Sequence, residues 1–366
     1  MRFVMCMGIA AYHFSPYFFH ESEVGYAFTR PFAYFTDIFF VISGFFLARG
    51  ERRRASLQGG YLGFLGRRMA RIYPLHLVTL SFFLLIAFLV ENGSLRVDNP
   101  ARYDLDEALP NALLIHSWGL GESFSFNYVS WSLSALMLMY ILFPVVTWLT
   151  ARLGWMMLGL IAIGVLAGDV LTTNVCGERL TTAQDCDVGI LRALPSFAFG
   201  VWLDRSRVAG IGLGPAVAGL ALGGVLAFGL PLAVDGIERL DGAVRLFVLY
   251  GLIASFLAAD AANLRTPLSW APLRRLAPYS FAIFLLHPVV ATGLLAGVMP
   301  RVSAAGLVPR WVPHDVVEIA WLVLGLAVTL VAAVVSTKAF EKPAERFLLR
   351  RFGAGERPAG VQAAPG

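Results

Sequence analysis

The chain has 366 residues, of which 58% are hydrophobic and 14% are charged, and its mean hydropathy is +0.70. An average soluble domain has roughly 25% charged residues, so this composition excludes an ordinary soluble protein and indicates a membrane protein. The formal net charge is +5.

The apolar stretches along the chain are long enough to cross the hydrocarbon core, which needs about 17 to 25 residues of helix. The period-2 alternation of outer-membrane strands is absent from them. We therefore predict an all-α, polytopic integral membrane protein with about ten transmembrane helices. The predicted spans are residues 3–20, 33–49, 72–90, 128–150, 153–171, 189–204, 211–230, 243–259, 279–297 and 316–338.

Lys and Arg residues are distributed unevenly between the predicted loops. With the amino terminus inside, the cytoplasmic side holds about two thirds of the 29 basic residues, as the positive-inside rule requires. Ten spans then place both termini in the cytoplasm. The positive charge is thus a topology signal, and we expect no nucleic-acid partner. The transmembrane domain is predicted over residues 1–351, followed by a disordered cytoplasmic tail over residues 352–366.

The first predicted helix carries Arg2 at its inner end and His13 inside an apolar run. A histidine is costly to place in lipid, so it indicates a functional site. At 1.5 Å per residue, His13 lies about 15 Å and Asp37 about 18 Å from the inner ends of their helices. We predict that Asp37 orients His13 and raises its basicity, so that His13 can deprotonate a hydroxyl that attacks a carbonyl. A purely structural hydrogen bond between two helices is the alternative.

Arg68 and Arg71 mark the start of the third predicted span. Because they are three residues apart, a helix places them on one face. Guanidinium groups are favoured partners of phosphate oxygens, so the pair predicts a phosphorylated donor bound at the cytoplasmic face. The alternative is a basic anchor that contacts anionic lipid. The sequence has no HExxH, CxxC or clustered carboxylates, and we expect no metal.

Further candidates lie in the outer loops and the ninth span. His116 and Trp131 flank the predicted outer mouth, where a ring could stack on a sugar, and interfacial anchoring is the alternative for Trp131. Cys176 and Cys186 face the outer side, either as a disulfide or as two unlinked thiols. His287 lies about 12 Å into its helix and either lines the site cavity or has a structural role.

Six sequence blocks occur in a fixed order along nearly the whole chain. They are Arg2-x10-His13, TDIFFVISGFFL from Thr36 to Leu47, Arg68-Met-Ala-Arg71 with IYPL, WSLS at 131–134 with Tyr140 and Pro144, YSFAIFLLHP at 279–288, and EKP at 341–343. Together they resemble the acyltransferase 3 family of membrane-bound O-acyltransferases that modify bacterial glycans. Each block alone is weak, whereas six in register are specific.

This resemblance implies transfer of an acyl group, usually acetyl from acetyl-CoA, from the cytoplasm of a bacterium to a glycan hydroxyl at the outer face of its inner membrane. The acceptor class includes lipopolysaccharide, exopolysaccharide and lipid-linked glycans. Arg2, Arg68 and Arg71 would then bind acyl-CoA, and His13 would act as base or acyl relay. Ser132, in the WSLS block, would line the acceptor cavity. Any second transfer step would need a separate periplasmic transferase.

Leu136 departs from the family pattern, which commonly has a glutamate after the WSLS block. A carboxylate is therefore missing from the expected site, or another residue takes its role.

A chain with many helices and buried polar residues is also typical of a transporter of a glycan or small metabolite. Transporters often have inverted repeats and paired broken helices, and the sequence shows neither feature.

Overall fold

The computed structural model describes most of the chain, and every structural statement below refers to the described residues. The regular structure of these residues is helical, and they include no strand. The described ranges are 1–19, 24–54, 60–97, 99–119, 125–177, 179–180, 189–206, 212–229, 242–264, 270–307 and 311–351. The predicted tail at 352–366 lies outside them.

The helices follow the apolar runs of the sequence. In chain order they are α1 Arg2–Phe14, α2 Val24–Thr29, α3 Phe35–Arg54, α4 Gly60–Glu91, α5 Ala108–Leu113, α6 Trp131–Leu153, α7 Met156–Cys176, α8 Gly189–Arg205, α9 Leu213–Gly224, α10 Ala243–Ala261, α11 Ala271–Leu276, α12 Ser280–Val290, α13 Met299–Ala304, α14 His314–Ser336 and α15 Lys342–Arg351. Single turns of 3₁₀ helix at Arg30–Tyr34, Tyr128–Ser130 and Ala277–Tyr279 extend α3, α6 and α12 at their starts. Short π-helical segments at Ala291–Val298 and Thr337–Glu341 continue α12 and α14.

Seven helical segments among the described residues are long and apolar enough to cross a membrane. Three predicted spans instead correspond to α1, α8 and α9, which have 13, 17 and 12 residues. The structure therefore supports a multi-pass helical membrane protein, and the count of ten and the position of the termini stay predictions. The seven segments are Arg30–Glu51, Gly60–Glu91, Tyr128–Leu153, Met156–Val175, Ala243–Ala261, Ala271–Ala304 and His314–Arg351.

The contact between α3 and α8 is a close crossing of two glycines. A Cβ atom added to Gly44 would overlap the carbonyl oxygen of Phe197, and one added to Gly200 would overlap the carbonyl oxygen of Val41. Small residues let helix backbones approach closely in membranes, where lipid supplies no hydrophobic drive between helices. The crossing holds α8 against the helix that carries Asp37.

We expect Gly44→Ala and Gly200→Ala each to lower the free energy of unfolding by about 1–3 kcal/mol, because the added methyl group forces the backbones apart. Gly159→Ala on α7 is the matched control, since a Cβ there meets nothing within 4 Å. Thermal unfolding in detergent measures the difference. Equal stability of all three variants would show that the crossing does not depend on its glycines.

Candidate functional site

A cavity of about 260 Å³ lies between five helices, and the three arginines of the predicted donor site all line it. Arg2 reaches it from α1, and Arg68 and Arg71 reach it from one face of α4. The other lining residues are mostly apolar or aromatic and come from α1, α3, α4, α6 and the 277–284 segment. They are Cys6, Phe39, Ser43, Phe46, Leu47, Ile72, Leu133, Leu136, Tyr140, Ala277, Ser280, Phe281 and Phe284.

Aromatic rings hold two of these guanidinium groups in place. Arg2 lies over the ring of Phe46 at 4.9 Å from its centroid, and Arg68 lies 5.7 Å from the ring of Tyr140. Glu51 also approaches Arg68, with an N–O distance of 3.7 Å. Cation–π contacts of this kind orient a guanidinium group over the face of a ring. The arrangement suits an anion with several oxygens, such as a phosphate.

His13 pairs with a second histidine, His287 on α12. The Nδ1 atom of His13 lies 2.8 Å from the Nε2 atom of His287, and the two ring planes differ by only 6°. Tyr128 packs edge-on against His13 with a centroid distance of 5.0 Å. His287 is fully buried, whereas His13 is half-buried. His287 is not among the residues that line the arginine cavity, and it reaches the candidate site through His13 and Phe284.

Asp37 does not orient His13, and that prediction is wrong. Both carboxylate oxygens of Asp37 accept hydrogen bonds from Arg192 on α8, at 2.6 and 2.8 Å. Asp37 is 0% and Arg192 is 7% exposed, and the guanidinium lies 5.6 Å from the ring of Trp131. Similar depth on neighbouring helices does not determine which helix faces meet. A bidentate pair with a guanidinium group is stronger than a hydrogen bond to a neutral imidazole, and Asp37 forms the bidentate pair.

Arg192 was missed by the sequence reasoning, although a signal was available. It is an arginine inside the apolar run at 189–204, and a charge buried in a membrane protein needs a partner of opposite sign. Asp37 is such a carboxylate within the second predicted span. If these two intramembrane charges pair with each other, Asp37 is no longer the expected partner of His13.

The cavity and the histidine pair share one aromatic side chain. Phe284 lines the cavity, stacks on Phe39 with centroids 6.2 Å apart, and contacts the ring of His287 at 5.9 Å. Phe284 and His287 lie three residues apart on one face of α12. Phe284 thus connects the arginine cavity with the histidine pair.

The candidates near the predicted outer mouth have structural contacts. The hydroxyl of Ser132 donates to the carbonyl oxygen of Val129 at 3.0 Å, and Nε2 of His116 lies 3.2 Å from Oγ of Ser130. Burial lowers the pKa of His116 to about 3, because the charged ring would lose its hydration. Trp131 packs against Phe40 and beneath Arg192. All three residues thus have partners within the protein, and their predicted place at the acceptor site stays a prediction.

The remaining predictions about side chains have mixed outcomes. Leu136 is 3% exposed and lines the arginine cavity, so the expected carboxylate position does face the candidate donor site. Cys186 lies outside the described residues, and the predicted disulfide with Cys176 stays a prediction. Among the described residues, His314, Asp315 and Glu318 bring metal-ligating atoms within 4.8 Å of one another, and none of the three lines the cavity.

These features define a class of protein, a multi-pass helical membrane protein with an arginine-lined cavity next to a histidine pair. The chain belongs to the acyltransferase 3 family, whose acyltransferase domain matches residues 1–338. It is also 29% identical to "Acyltransferase MdmB" of Streptomyces mycarofaciens over an alignment of 369 residues. The alignment covers 96% of this chain and 92% of that protein. No solved structure matches this chain. Family and relative together support acyltransferase activity in a membrane.

Removing one member of the Asp37–Arg192 pair should destabilise the fold. Asp37→Asn or Arg192→Met leaves a buried charge without its counter-ion, which costs about 3–5 kcal/mol. The double variant should lose less than the sum of the two, because neither charge is then left alone. Asp260→Asn, at an exposed carboxylate, is the control. Thermal unfolding in detergent measures all four, and an Asp37→Asn protein of unchanged stability would contradict this structural role.

Proposed function

We propose that the protein transfers an acyl group, most simply acetyl, from cytoplasmic acyl-CoA to a hydroxyl of a cell-envelope glycan or exopolysaccharide. The proposed location is the inner membrane of a bacterium. The observation that carries the proposal is the convergence of Arg2, Arg68 and Arg71 on one cavity, which shares Phe284 with the pair of His13 and His287. This joins an anion-binding group to a base.

The donor end of the proposal rests on charge. Acyl-CoA carries phosphate and pyrophosphate groups, and guanidinium forks bind their oxygens with two hydrogen bonds at once. The cavity also has an apolar wall, which includes Leu133, Leu136 and Phe284. We assign the phosphates to the arginines and the acyl thioester to this wall. The acetyl-CoA of the proposal is a donor substrate, and the reaction as proposed uses no metal.

The chemistry assigned to His13 is general base catalysis. Its imidazole takes the proton of the acceptor hydroxyl while the oxygen attacks the thioester carbonyl carbon. A C–O ester bond forms and the C–S bond breaks. The CoA thiolate then receives the proton from the imidazolium, which restores the neutral base. Acyl relay through His13 itself is the variant of this route that the same residue permits.

The acceptor end of the proposal rests on the surroundings of His13, which is half-buried. Tyr128 contacts His13, and Arg102 lies over the ring of Tyr128 at 5.6 Å from its centroid. Arg102 is exposed and belongs to the long segment predicted on the outer side. An acceptor hydroxyl that arrives from that side would meet His13 without crossing the donor cavity. A free or lipid-linked glycan fits this approach, and a second transfer step would require a periplasmic partner.

Binding of CoA by the purified protein tests the donor site without any acceptor. Arg68→Ala and Arg71→Ala should each weaken CoA binding by about 10- to 100-fold, because each removes charge-assisted hydrogen bonds. Arg274→Ala, at an exposed arginine that does not line the cavity, should leave binding unchanged. Calorimetry with CoA and with 3′-dephospho-CoA measures the loss. Undiminished binding in both cavity variants would contradict the donor assignment.

Release of CoA thiol from acetyl-CoA in the presence of envelope glycan fractions tests the reaction. His13→Ala should reduce acyl transfer by about 10²- to 10⁴-fold while CoA binding is kept, since a general base contributes that much to rate. Mass spectrometry of glycans from cells with and without the gene identifies the acceptor. Movement of a glycan across vesicles without CoA release would favour the transporter alternative.

A further inference from the structure

The two rings of the histidine pair differ in what surrounds them. His287 is 0% exposed, and the rings of Phe14 and Phe284 pack against it at 6.2 and 5.9 Å. His13 is half-buried and lies at the end of α1. The ring of His287 is therefore fixed by packing on several sides, whereas the residue His13 is only partly buried.

The hydrogen bonds of His287 determine which of its nitrogens carries the proton. Nδ1 of His287 lies 3.2 Å from the carbonyl oxygen of Ile283, one turn earlier on α12. A carbonyl oxygen only accepts, so Nδ1 of His287 must be the donor. In the neutral ring, Nε2 of His287 then has a lone pair and accepts.

The protonation of His287 also determines which ring nitrogen of His13 carries the hydrogen. Its Nδ1 atom lies 2.8 Å from Nε2 of His287, and one hydrogen must lie between the two atoms. Since Nε2 of His287 is the acceptor, Nδ1 of His13 carries the hydrogen. The neutral ring of His13 therefore has its lone pair on Nε2.

We propose that His287 is a positioning residue, which holds His13 in the Nδ1–H tautomer and so makes Nε2 of His13 the base. This inference rests on the proposed function in one respect: the group that gives its proton to Nε2 of His13 is the hydroxyl of the acyl acceptor. When Nε2 of His13 takes that proton, the imidazolium keeps its Nδ1–H bond to His287. A carbonyl, a neutral imidazole and the reactive imidazole thus form one chain, in the place where Asp37 was expected to act.

The tautomer can be observed directly, without any substrate. In protein labelled with ¹⁵N-histidine and placed in bilayers, the resonances of His13 are assigned by their loss in His13→Gln. Nδ1 of His13 should have the shift of a protonated ring nitrogen, and Nε2 that of an unprotonated one. A wild-type protein with His13 in the Nε2–H form, or in a mixture of both forms, would overturn the proposal.

Kinetics of His287 variants supply the second test. His287→Ala removes the acceptor, so kcat should fall by about 10²-fold while the KM for acetyl-CoA stays unchanged, and the His13 resonances should shift toward the other tautomer. His287→Gln should recover at least 10-fold of the lost kcat, because its side-chain oxygen can accept from His13. Unchanged kcat and tautomer in His287→Ala would contradict the proposal. If His287→Ala fails to fold, the kcat of His287→Gln and the tautomer of His13 in the wild-type protein test the proposal.

The two proposals can fail separately. A His13 tautomer as expected, in a protein that never releases CoA with any acceptor, would remove the proposed function and keep the role of His287. Acyl transfer that depends on His13 in a protein with the opposite tautomer would keep the function and remove that role.

Discussion

The buried ion pair between Asp37 and Arg192 is the interaction on which the site depends most. A charge in an apolar interior is tolerated only with a partner that restores its lost hydration, and the bidentate geometry here provides one. The pair joins α3 to α8, as does the crossing of Gly44 with Gly200. Because α3 also supplies part of the cavity wall, the ion pair fixes one side of the candidate donor site.

Much of the candidate site follows from the sequence. Helical periodicity places Arg68 and Arg71 on one face, and the family resemblance adds Arg2. The structure brings the three side chains to one cavity, and their role in donor binding stays a prediction. The partner of His13 could not be found from depth alone. A residue's depth follows from its distance to the helix end, whereas its direction depends on how each helix is rotated about its axis. Contact between His13 and His287 is a property of that rotation.

The number of membrane-spanning helices was harder to predict than the apolar character of the chain. Hydropathy measures whether a segment avoids water, and it does not distinguish lipid from protein interior. Helices α1 and α8 are largely surrounded by protein, as their buried residues show, and need not have full membrane length to be apolar. This explains why the apolar run at 3–20 predicts a complete span although α1 has 13 residues.

Leu136 is best understood from the charge of the cavity that it lines. A glutamate at this position would face Arg2, Arg68 and Arg71, and its carboxylate would compete with any bound anion for the same guanidinium groups. The leucine keeps the wall apolar and the cavity cationic. The histidine pair meanwhile gives His13 a hydrogen-bond acceptor that carries no charge. No carboxylate is therefore needed to hold His13 in place, and the absence of one from position 136 is compatible with the base chemistry proposed for this site.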